Sequence, residues 1–307
     1  MVKIMQKIKN FLTISRANIQ VATIPHALLG IFMAADTLDD IMKVDNLVYV
    51  MLYLLLITLA CNINCLYDID VDKYYKKSLY NATVSLGVKN VKILIVIEGI
   101  IAIFIIFYLY TRGHVITAAL SFIGILLAAI YSSPPPRIKA RGFLSAFPTF
   151  VGLYMLPLLG GWYMLRDSLK ISFILFIAGY ALMNEGFTLV NTCEDYAEDK
   201  REGIKTWAHI FGIKNTLRIA FVSSSGGILC IFPVMNNIFY GSLNMGKAIS
   251  LAFVGVFLFA LINSMRDIWK AIDSHDLQKS SKKYARKMPL WFISTRYPLL
   301  LATLFII

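Results

Sequence analysis

Residues 56–77, which read LITLACNINCLYDIDVDKYYKK, decide the fold of this chain. They contain the pattern Asn64-x-x-x-Asp68-x-x-x-Asp72, and a spacing of four places three side chains on one face of a helix, one turn apart. A long apolar run that begins near Leu47 leads into this pattern. The carboxylates are therefore predicted to lie at or just inside a membrane boundary, where charge is costly and usually functional.

The same pattern occurs a second time, after the apolar run 173–190. Asn191, Asp195 and Asp199 follow their counterparts at a constant offset of 127, since 64 pairs with 191, 68 with 195 and 72 with 199. A lysine follows the last aspartate in both copies. One copy alone would be typical of a solvated helix end, whereas two matched copies indicate that both serve one site.

The composition excludes an ordinary soluble domain. Of the 307 residues, 58% are hydrophobic and 16% are charged, against about 45–50% apolar and about 25% charged residues in soluble chains. We therefore expect an all-α integral membrane protein with a single transmembrane domain, 1–307. The net charge of +12 is spread over short loops, which indicates topology and contact with membrane lipid, and no nucleic acid is expected as a partner.

Apolar runs predict nine transmembrane helices around a central cavity. Helices two and six carry the matched motifs, so the two motifs are expected to face that cavity from opposite sides. The predicted helices begin near Ala17, Leu47, Val91, Val115, Phe143, Ile171, Leu217, Ala248 and Pro289.

Loop charge predicts the orientation of these helices. The N-terminal segment and the loops after helices two, four, six and eight are rich in lysine and arginine, whereas the loops between them carry few. By the positive-inside rule, the N-terminus and both motifs lie in the cytoplasm and the C-terminus lies outside. The protein is thus predicted to be a multi-pass protein of the cell membrane with its active site toward the cytoplasm.

Four carboxylates on two facing helices, beside basic loops, indicate a divalent cation and a phosphate group. Mg²⁺ prefers oxygen ligands and is commonly held by one or two carboxylates together with substrate phosphates. The asparagine at the head of each motif suits an amide ligand or an orienting hydrogen bond. Deeper in helix six, Asn184 and Glu185 interrupt the apolar run and are predicted to face the cavity. His26, beside Pro25, suits either a contact with a substrate or a packing role.

The motifs resemble those of the UbiA superfamily of intramembrane prenyltransferases, whose members have nine transmembrane helices and aspartate-rich motifs after helices two and six. The first family motif has the same pattern as the first copy here. The second is usually Asp-x-x-Asp-x-x-x-Asp and is matched by Thr192, Asp195 and Asp199, with threonine at the leading position. Residues 203–206, Gly-Ile-Lys-Thr, resemble the segment after that motif.

Two further segments carry the resemblance, and one departs from it. Residues 131–142, YSSPPPRIKARG, are similar to a Tyr-Ser-x-Pro-Pro-x-basic-x-Lys loop of several branches. Ser15, Arg16 and Asn18 resemble the start of the first helix, although alanine replaces the common proline after Arg16. The Arg-Pro-x-Arg-Pro segment that often follows the first motif is replaced here by 73–83, KYYKKSLYNAT. Its lysines, as point charges, are the candidates to replace those arginines.

The resemblance implies an enzyme that transfers a polyprenyl group from an allylic prenyl diphosphate donor to a lipid-soluble acceptor, through departure of the diphosphate and an allylic carbocation. The implied cofactor is Mg²⁺, with Asn64, Asp68, Asp72, Asp195 and Asp199 as metal ligands. The implied catalytic residues are Asp68, Asp72, Asp195, Asp199, Lys139 and Lys205. The implied substrate-binding residues are Asn64, Asn191, Tyr131, Ser132, Arg137, Arg16, Asn18 and Lys73. The acceptor stays open among quinone precursors, chlorins, haem, carotenoids and glycerol-phosphate lipids.

Two other classes of protein compete with this interpretation. A cation-coupled membrane transporter also has repeated halves with carboxylates inside the membrane, but here the carboxylates cluster at one face among basic loops. A different membrane enzyme of lipid phosphates, the CDP-alcohol phosphotransferase class, carries an Asp-Gly-x-x-Ala-Arg string that this chain does not contain. Turnover of prenyl diphosphate, measured against ion flux, separates the enzyme from the transporter.

Overall fold

Seven helical segments of the chain are long and apolar enough to cross a membrane. The computed structural model describes residues 2–235 and 244–305, and within these ranges the secondary structure is helical, without a β-strand. The seven segments are Ala17–Ala34, Val44–Tyr67, Val88–Thr111, Val115–Ser132, Gly142–Tyr163, Ile171–Glu194 and Met245–Ile272. The remaining two predicted runs also form helices, Ile213–Ile231 and Met288–Leu304.

The N-terminal half contains eight α-helices before the Pro-rich loop. A short amphipathic helix precedes the first apolar one, and two short helices follow Asp68, the middle residue of the first aspartate motif. These helices are α1 (Val2–Ile14), α2 (Ala17–Ala34), α3 (Leu38–Ile41), α4 (Val44–Tyr67), α5 (Ile69–Tyr75), α6 (Lys77–Leu86), α7 (Val88–Thr111) and α8 (Val115–Ser132).

The C-terminal half begins with an irregular helical segment. Short 3₁₀ turns at Ile138–Ala140 and Gly142–Ala146 lead into a π-helix, Pro148–Met155. The α-helices that follow are α9 (Leu156–Tyr163), α10 (Ile171–Glu194), α11 (Tyr196–Arg201), α12 (Trp207–Phe211), α13 (Ile213–Ile231), α14 (Met245–Ile272), α15 (Leu277–Ala285) and α16 (Met288–Leu304).

Both motif-bearing helices are interrupted at the middle aspartate. Asp68 separates α4 from α5, and Asp195 separates α10 from α11. Their dihedral angles, φ −103° and ψ 11° for Asp68 and φ −79° and ψ 1° for Asp195, lie in the bridge region, which many active-site residues occupy. The four-residue hydrogen bonds continue through each break, from Asp68 N to Asn64 O (2.9 Å) and from Asp195 N to Asn191 O (3.1 Å). The expectation of one continuous helix through each motif is therefore corrected to two helices that keep the register.

Helix α10 lies at the centre of the core and packs most extensively against α13. The two backbones approach closely at Gly179 and Gly227, because a Cβ at Gly179 would lie 2.4 Å from the carbonyl oxygen of Gly227. Small residues allow such contacts between helices in a membrane, where van der Waals packing replaces the hydrophobic effect as the driving force. The second motif is thus carried at the end of a helix that is buried along most of its length.

Helix α16 supplies hydrogen-bond donors to backbone carbonyls of α2, the first apolar helix, near its proline. Pro25 has no N–H, so the carbonyl of Val21 lacks its intrahelical donor. The Tyr297 hydroxyl donates to that carbonyl at 2.6 Å, and Arg296 Nη1 donates to the Ala22 carbonyl at 2.7 Å. Arg296, which interrupts the last apolar run, is fully buried, with its guanidinium 3.7 Å from the Phe292 ring centroid.

Two polar residues of α10 that were predicted to face the cavity do not line it. Asn184 accepts a hydrogen bond from Arg296 Nε at 2.7 Å, and Glu185 accepts one from the Thr149 hydroxyl at 2.9 Å. Within apolar surroundings, neighbouring helices satisfy these groups instead of a substrate. That prediction was wrong for both residues.

Candidate active site between the two aspartate motifs

The two motifs line one cavity of about 400 Å³. Its wall is formed by α2, α4, α8 and α10, by the segment 148–157, and by the short helices that follow Asp68 and Asp195. The motif side chains in its lining are Asn64, Asp68, Asp72, Asn191, Asp195 and Asp199.

Asp68 is held by two cations from the Pro-rich loop. Arg137 Nη2 donates to Asp68 Oδ1 at 3.1 Å, and the Lys139 ammonium donates to Asp68 Oδ2. Asn64 Nδ2 also donates to Asp68 Oδ2, at 2.7 Å. Burial lowers the pKa of Lys139, because the charged form is disfavoured away from water. Two cations thus stand at a position where the sequence predicts a metal ligand.

Asn64 connects this cluster to α2 and α8. Arg16 Nη2 donates to Asn64 Oδ1 at 2.9 Å, and Asn64 Nδ2 lies 3.0 Å from the Ser132 hydroxyl oxygen. Arg16 (φ 49°) and Arg137 (φ 40°) are non-glycine residues in the left-handed region. Such conformations persist only where the surroundings fix them, and they are concentrated at functional sites.

The second motif receives its cation from the first half of the chain. Lys76 Nζ lies 3.6 Å from Asp195 Oδ2, and Asn191 Nδ2 donates to the same oxygen at 3.3 Å. Lys76 is one of the three lysines, with Lys73 and Lys77, that were candidates to replace the missing arginines, and it continues the series 64, 68, 72 by four more positions. That periodicity is the signal that distinguishes it from its neighbouring lysines.

Asp72 and Asp199 are the carboxylates left without a cation. Neither forms an ion pair among the described residues, and Asp72 Oδ2 is buried without a hydrogen-bond partner. Burial raises the pKa of Asp72 to about 6 and that of Asp199 to about 7. A buried carboxylate oxygen without a partner is costly, so this arrangement favours the binding of a cation in the cavity.

The donor set fits Mg²⁺ in the way that a substrate-dependent metal is bound. In the part of the chain that the structure describes, no group of three or more His, Cys, Asp or Glu side chains could by itself hold a metal ion. Mg²⁺ needs only one or two carboxylates when phosphate oxygens and water complete its octahedron. Asp72 and Asp199 supply such carboxylates from opposite sides of the cavity.

The other predicted residues divide into two groups. Tyr131 lines the cavity, and Ser132 lies just behind it against Asn64. Lys73, Lys205 and Asn18 are exposed and do not line the cavity. The structure therefore does not bring these last three residues to the predicted site.

Local geometry explains the placement of the two lysines. Lys73 follows Asp72 directly and is turned about 100° from it around the helix, and its ammonium lies 5.7 Å from the Tyr74 ring centroid. Lys205 lies in an extended segment whose neighbours Ile204 and Thr206 line the cavity, so its side chain points away. Its backbone carbonyl accepts a hydrogen bond from Gly142 N at 2.7 Å and so holds the Pro-rich loop.

A model of the UbiA prenyltransferase family matches residues 23–293. This chain belongs to the UbiA prenyltransferase family. The resemblance identified from the two motifs is thereby confirmed, and the chain is an all-helical, multi-pass membrane protein of that family. A comparison with curated proteins found no match.

Solved structures of UbiA homologues share the fold. A UbiA homologue from Archaeoglobus fulgidus bound to GPP and Mg²⁺ has a TM-score of 0.68 at 14% identity, with 94% of this chain and 99% of that chain covered. A digeranylgeranylglyceryl phosphate synthase gives a TM-score of 0.65 at 16% identity, with 97% and 99% covered. An apo UbiA homologue from Aeropyrum pernix K1 gives 0.64 at 15% identity, with 90% and 96% covered.

In this UbiA-family chain, a third acidic side chain of the second motif also lines the cavity. Glu198 lies three residues after Asp195 and accepts a hydrogen bond from Lys282 Nζ at 3.1 Å. Lys282 belongs to α15, and from the same helix Gln278 Nε2 donates to the Glu194 carbonyl at 2.6 Å. Helix α15 therefore fixes the end of α10 and the start of α11. Sequence reasoning missed Glu198 because it lies outside the four-residue pattern.

The inner end of the cavity in this UbiA-family chain is apolar and aromatic. Tyr49 and Tyr53 line it, and their hydroxyls are turned away to other partners: Tyr49 donates to the Pro157 carbonyl at 2.7 Å, and Tyr53 lies 2.8 Å from His26 Nδ1. His26 itself is fully buried behind Tyr53. Of its two predicted roles, substrate contact and packing, this position favours packing. The aliphatic residues of this inner wall are Leu56, Ile57, Leu120, Leu127, Leu153 and Leu156.

Proposed function

We propose that this protein transfers a prenyl group from an allylic prenyl diphosphate to a lipid-soluble acceptor in a Mg²⁺-dependent reaction. The observation that carries the proposal is the division of one cavity into a charged end and an apolar end. The charged end holds the aspartates of both motifs with Lys76 and Lys139, and the apolar end holds tyrosine and aliphatic side chains. An amphiphile with a diphosphate and a hydrocarbon chain matches both ends.

The charged end is suited to hold and then accept a leaving diphosphate. Bound Mg²⁺ would be held by Asp72 and Asp199, and by Asp68 and Asp195 once their cations bind the phosphate, with Asn64 and Asn191 nearby. It would supply positive charge to the diphosphate oxygens. Lys139 and Arg137 can exchange their bonds to Asp68 for bonds to phosphate, because both carry donors suited to either anion. Lys76 lies at the opposite side of the cavity and can do the same from Asp195.

The apolar end is suited to protect the developing cation. When the carbon–oxygen bond of the donor breaks, positive charge forms at the allylic carbon and reacts with water if water is present. The aliphatic wall excludes water from that carbon, and the aromatic rings of Tyr49 and Tyr53 present polarisable surface there. The hydroxyls of these two tyrosines are occupied by Pro157 and His26, so they are not placed as nucleophiles.

We also propose that nine helices cross the membrane and that the charged end of the cavity opens to the cytoplasm. The seven long apolar helices, with α13 and α16, supply nine segments at the predicted positions. The alternation of basic loops supports this orientation. It places the charged end of the cavity where soluble diphosphates and Mg²⁺ are found.

The decisive experiment is a turnover assay with purified protein in nanodiscs. Labelled geranyl, farnesyl and geranylgeranyl diphosphates are incubated with native lipid extract, with Mg²⁺ or with excess chelator. We expect a lipid-extractable prenyl product with at least one donor, and none in chelator. An ion-flux assay in liposomes serves as the comparison. Ion flux without prenyl turnover would support the transporter and reject the proposal.

A further inference from the structure

A second groove opens beside the cavity, between the amphipathic helix α1, the start of α2, and α6. Its volume is about 860 Å³. The groove and the cavity share four lining residues, Arg16, Ile19, Lys76 and Asn191. The groove is therefore continuous with the charged end of the cavity. Neither α1 nor α6 is among the helices that are long and apolar enough to cross a membrane, and we therefore place this opening at the level of the lipid headgroups.

Helix α1 is built to lie in the membrane surface. Asn10 Nδ2 donates to the Ser85 hydroxyl at 2.8 Å, and Ile14 is fully buried against α4 and α6. The stripe Ile4, Ile8 and Leu12, spaced by four, is left 64%, 54% and 48% exposed. An amphipathic helix with lysines beside an exposed apolar stripe is typical of helices that lie in the bilayer interface.

The groove has an apolar side and a basic side. Met5, Ile8, Leu12 and Leu79 form the apolar side. The basic side consists of Lys9 together with Arg16 and Lys76 from the cavity, and no Asp or Glu is in the groove lining among the described residues. Lys76 is paired with Asp195, whereas Lys9 and Arg16 form no ion pair with a carboxylate among the described residues. Their positive charge beside an apolar surface is complementary to an amphiphile whose headgroup is an anion.

We propose that this groove binds the acceptor, and that the acceptor is a bilayer amphiphile with an anionic headgroup, such as a phosphate monoester. This inference rests on the proposed function and deepens it by assigning the second substrate to a class. The prenyl diphosphate is a poorer occupant, because its higher charge needs a metal and the groove contains no carboxylate to hold one. From the groove, a headgroup bound by Lys9 and Arg16 places the amphiphile beside the charged end of the cavity.

A matched pair of photoreactive lipids tests the binding site. The probes are a diazirine-bearing oleyl phosphate and the uncharged oleyl alcohol with the same diazirine, added to the full chain in phosphatidylcholine nanodiscs. We expect the phosphate probe to label peptides of α1 and α6, and the alcohol to label them several-fold less. Equal labelling by the two probes would overturn the proposal, because the headgroup charge would then have no role.

Variants of α1 sharpen this test. Lys9→Gln should lower labelling by the phosphate probe about fivefold, the factor that corresponds to roughly 1 kcal/mol per lysine at an anionic surface. Lys9→Arg should retain labelling. Lys7→Gln is the matched control, since Lys7 has the same charge and exposure on the same helix but does not line the groove. An equal loss in Lys7→Gln would show a general surface attraction and overturn a specific site.

Two further measurements separate the acceptor from other occupants. Labelling should persist in excess geranyl diphosphate with Mg²⁺, and its complete loss would identify the groove as the donor route instead. Protein labelled in the groove should lose transfer to acceptors in native lipid extract and keep Mg²⁺-dependent binding of labelled geranyl diphosphate. Unchanged transfer would overturn the acceptor assignment while leaving the proposed function intact. Failure of the unlabelled protein to turn over any prenyl diphosphate would reject both the acceptor assignment and the proposed function.

Discussion

Replacing Asp68 or Asp195 by asparagine tests whether the two motifs act as one site. Each substitution keeps the shape of the side chain and removes one negative charge from a cavity that both motifs line. Each wild-type carboxylate also holds a cation that we assign to the diphosphate, Lys139 at Asp68 and Lys76 at Asp195. The loss therefore disturbs the position of the cation as well as the charge of the cavity.

The expected magnitude follows from the loss of one preorganised electrostatic partner, which costs about 2.7–4 kcal/mol, or about 10²–10³ in kcat. If the motifs acted independently, the double variant would lose the product of the two factors, about 10⁴–10⁶. If they hold one diphosphate together, the double variant should be little worse than either single one, because residues that act as a unit are not additive. The two models differ by at least about a hundredfold.

The assay measures transfer of the labelled prenyl group from geranyl diphosphate to lipid-extractable product at saturating Mg²⁺. The value of kcat is determined for wild type, both single variants and the double variant. Asp70→Asn and Glu202→Gln are the matched controls, since both residues are exposed, lie next to the motifs and do not line the cavity. Near-normal turnover by Asp195→Asn beside an inactive Asp68→Asn would refute the one-site model. So would a double variant that follows the product of the single effects.

Three further predictions concern topology, metal and stability. In a cysteine-free background, cysteines at Lys205 and Lys247 should be labelled from opposite sides of the membrane, and labelling from one side would reject the proposed orientation. Chelation should abolish prenyl turnover and added Mg²⁺ should restore it, whereas full activity in excess chelator would exclude the metal-dependent reaction. In chelator, Asp72→Asn should raise the melting temperature, because it removes a buried charge whose Oδ2 has no partner, and it should raise the free energy of unfolding by about 1–3 kcal/mol. Asp68→Asn should lower the melting temperature, because it leaves buried Lys139 without its anion, and the opposite order of the two variants would contradict this assignment of the free carboxylate.

The positions of the helices were predictable from the sequence because apolar periodicity and length decide them. The starts predicted at Ala17, Val115 and Ile171 coincide with the observed ones, and the constant offset between the motifs reappears as matching breaks at Asp68 and Asp195. Local spacing also contained the information that identifies Lys76. These features depend on the backbone within a few turns, which sequence patterns describe directly.

Partner choice depends on tertiary contacts, which spacing does not describe. Lys205 is one residue from two cavity-lining positions. Its side chain points outward only because its backbone is extended and pairs with that of Arg141 in a β-bridge. Glu185 is expensive inside an apolar helix wherever it points, and only the π-helical segment, which supplies Thr149, decides that it faces a protein donor. The free-energy cost of burying a polar side chain in the membrane therefore showed that such a residue needs a partner, but it did not show which residue the partner is.

Asp68 and Asp72 differ in their cationic partners, which spacing alone does not predict, and this difference affects the reaction. Both aspartates belong to one four-residue pattern, yet the Pro-rich loop brings Arg137 and Lys139 to Asp68 alone and leaves Asp72 unpaired. A diphosphate that binds Lys139 must draw it from Asp68, since one ammonium cannot fully satisfy two competing anions in a buried site. Asp68 then needs a replacement cation, and a metal that arrives with the diphosphate provides it. Donor and metal should therefore bind with positive cooperativity, each removing a cost that the other would meet alone.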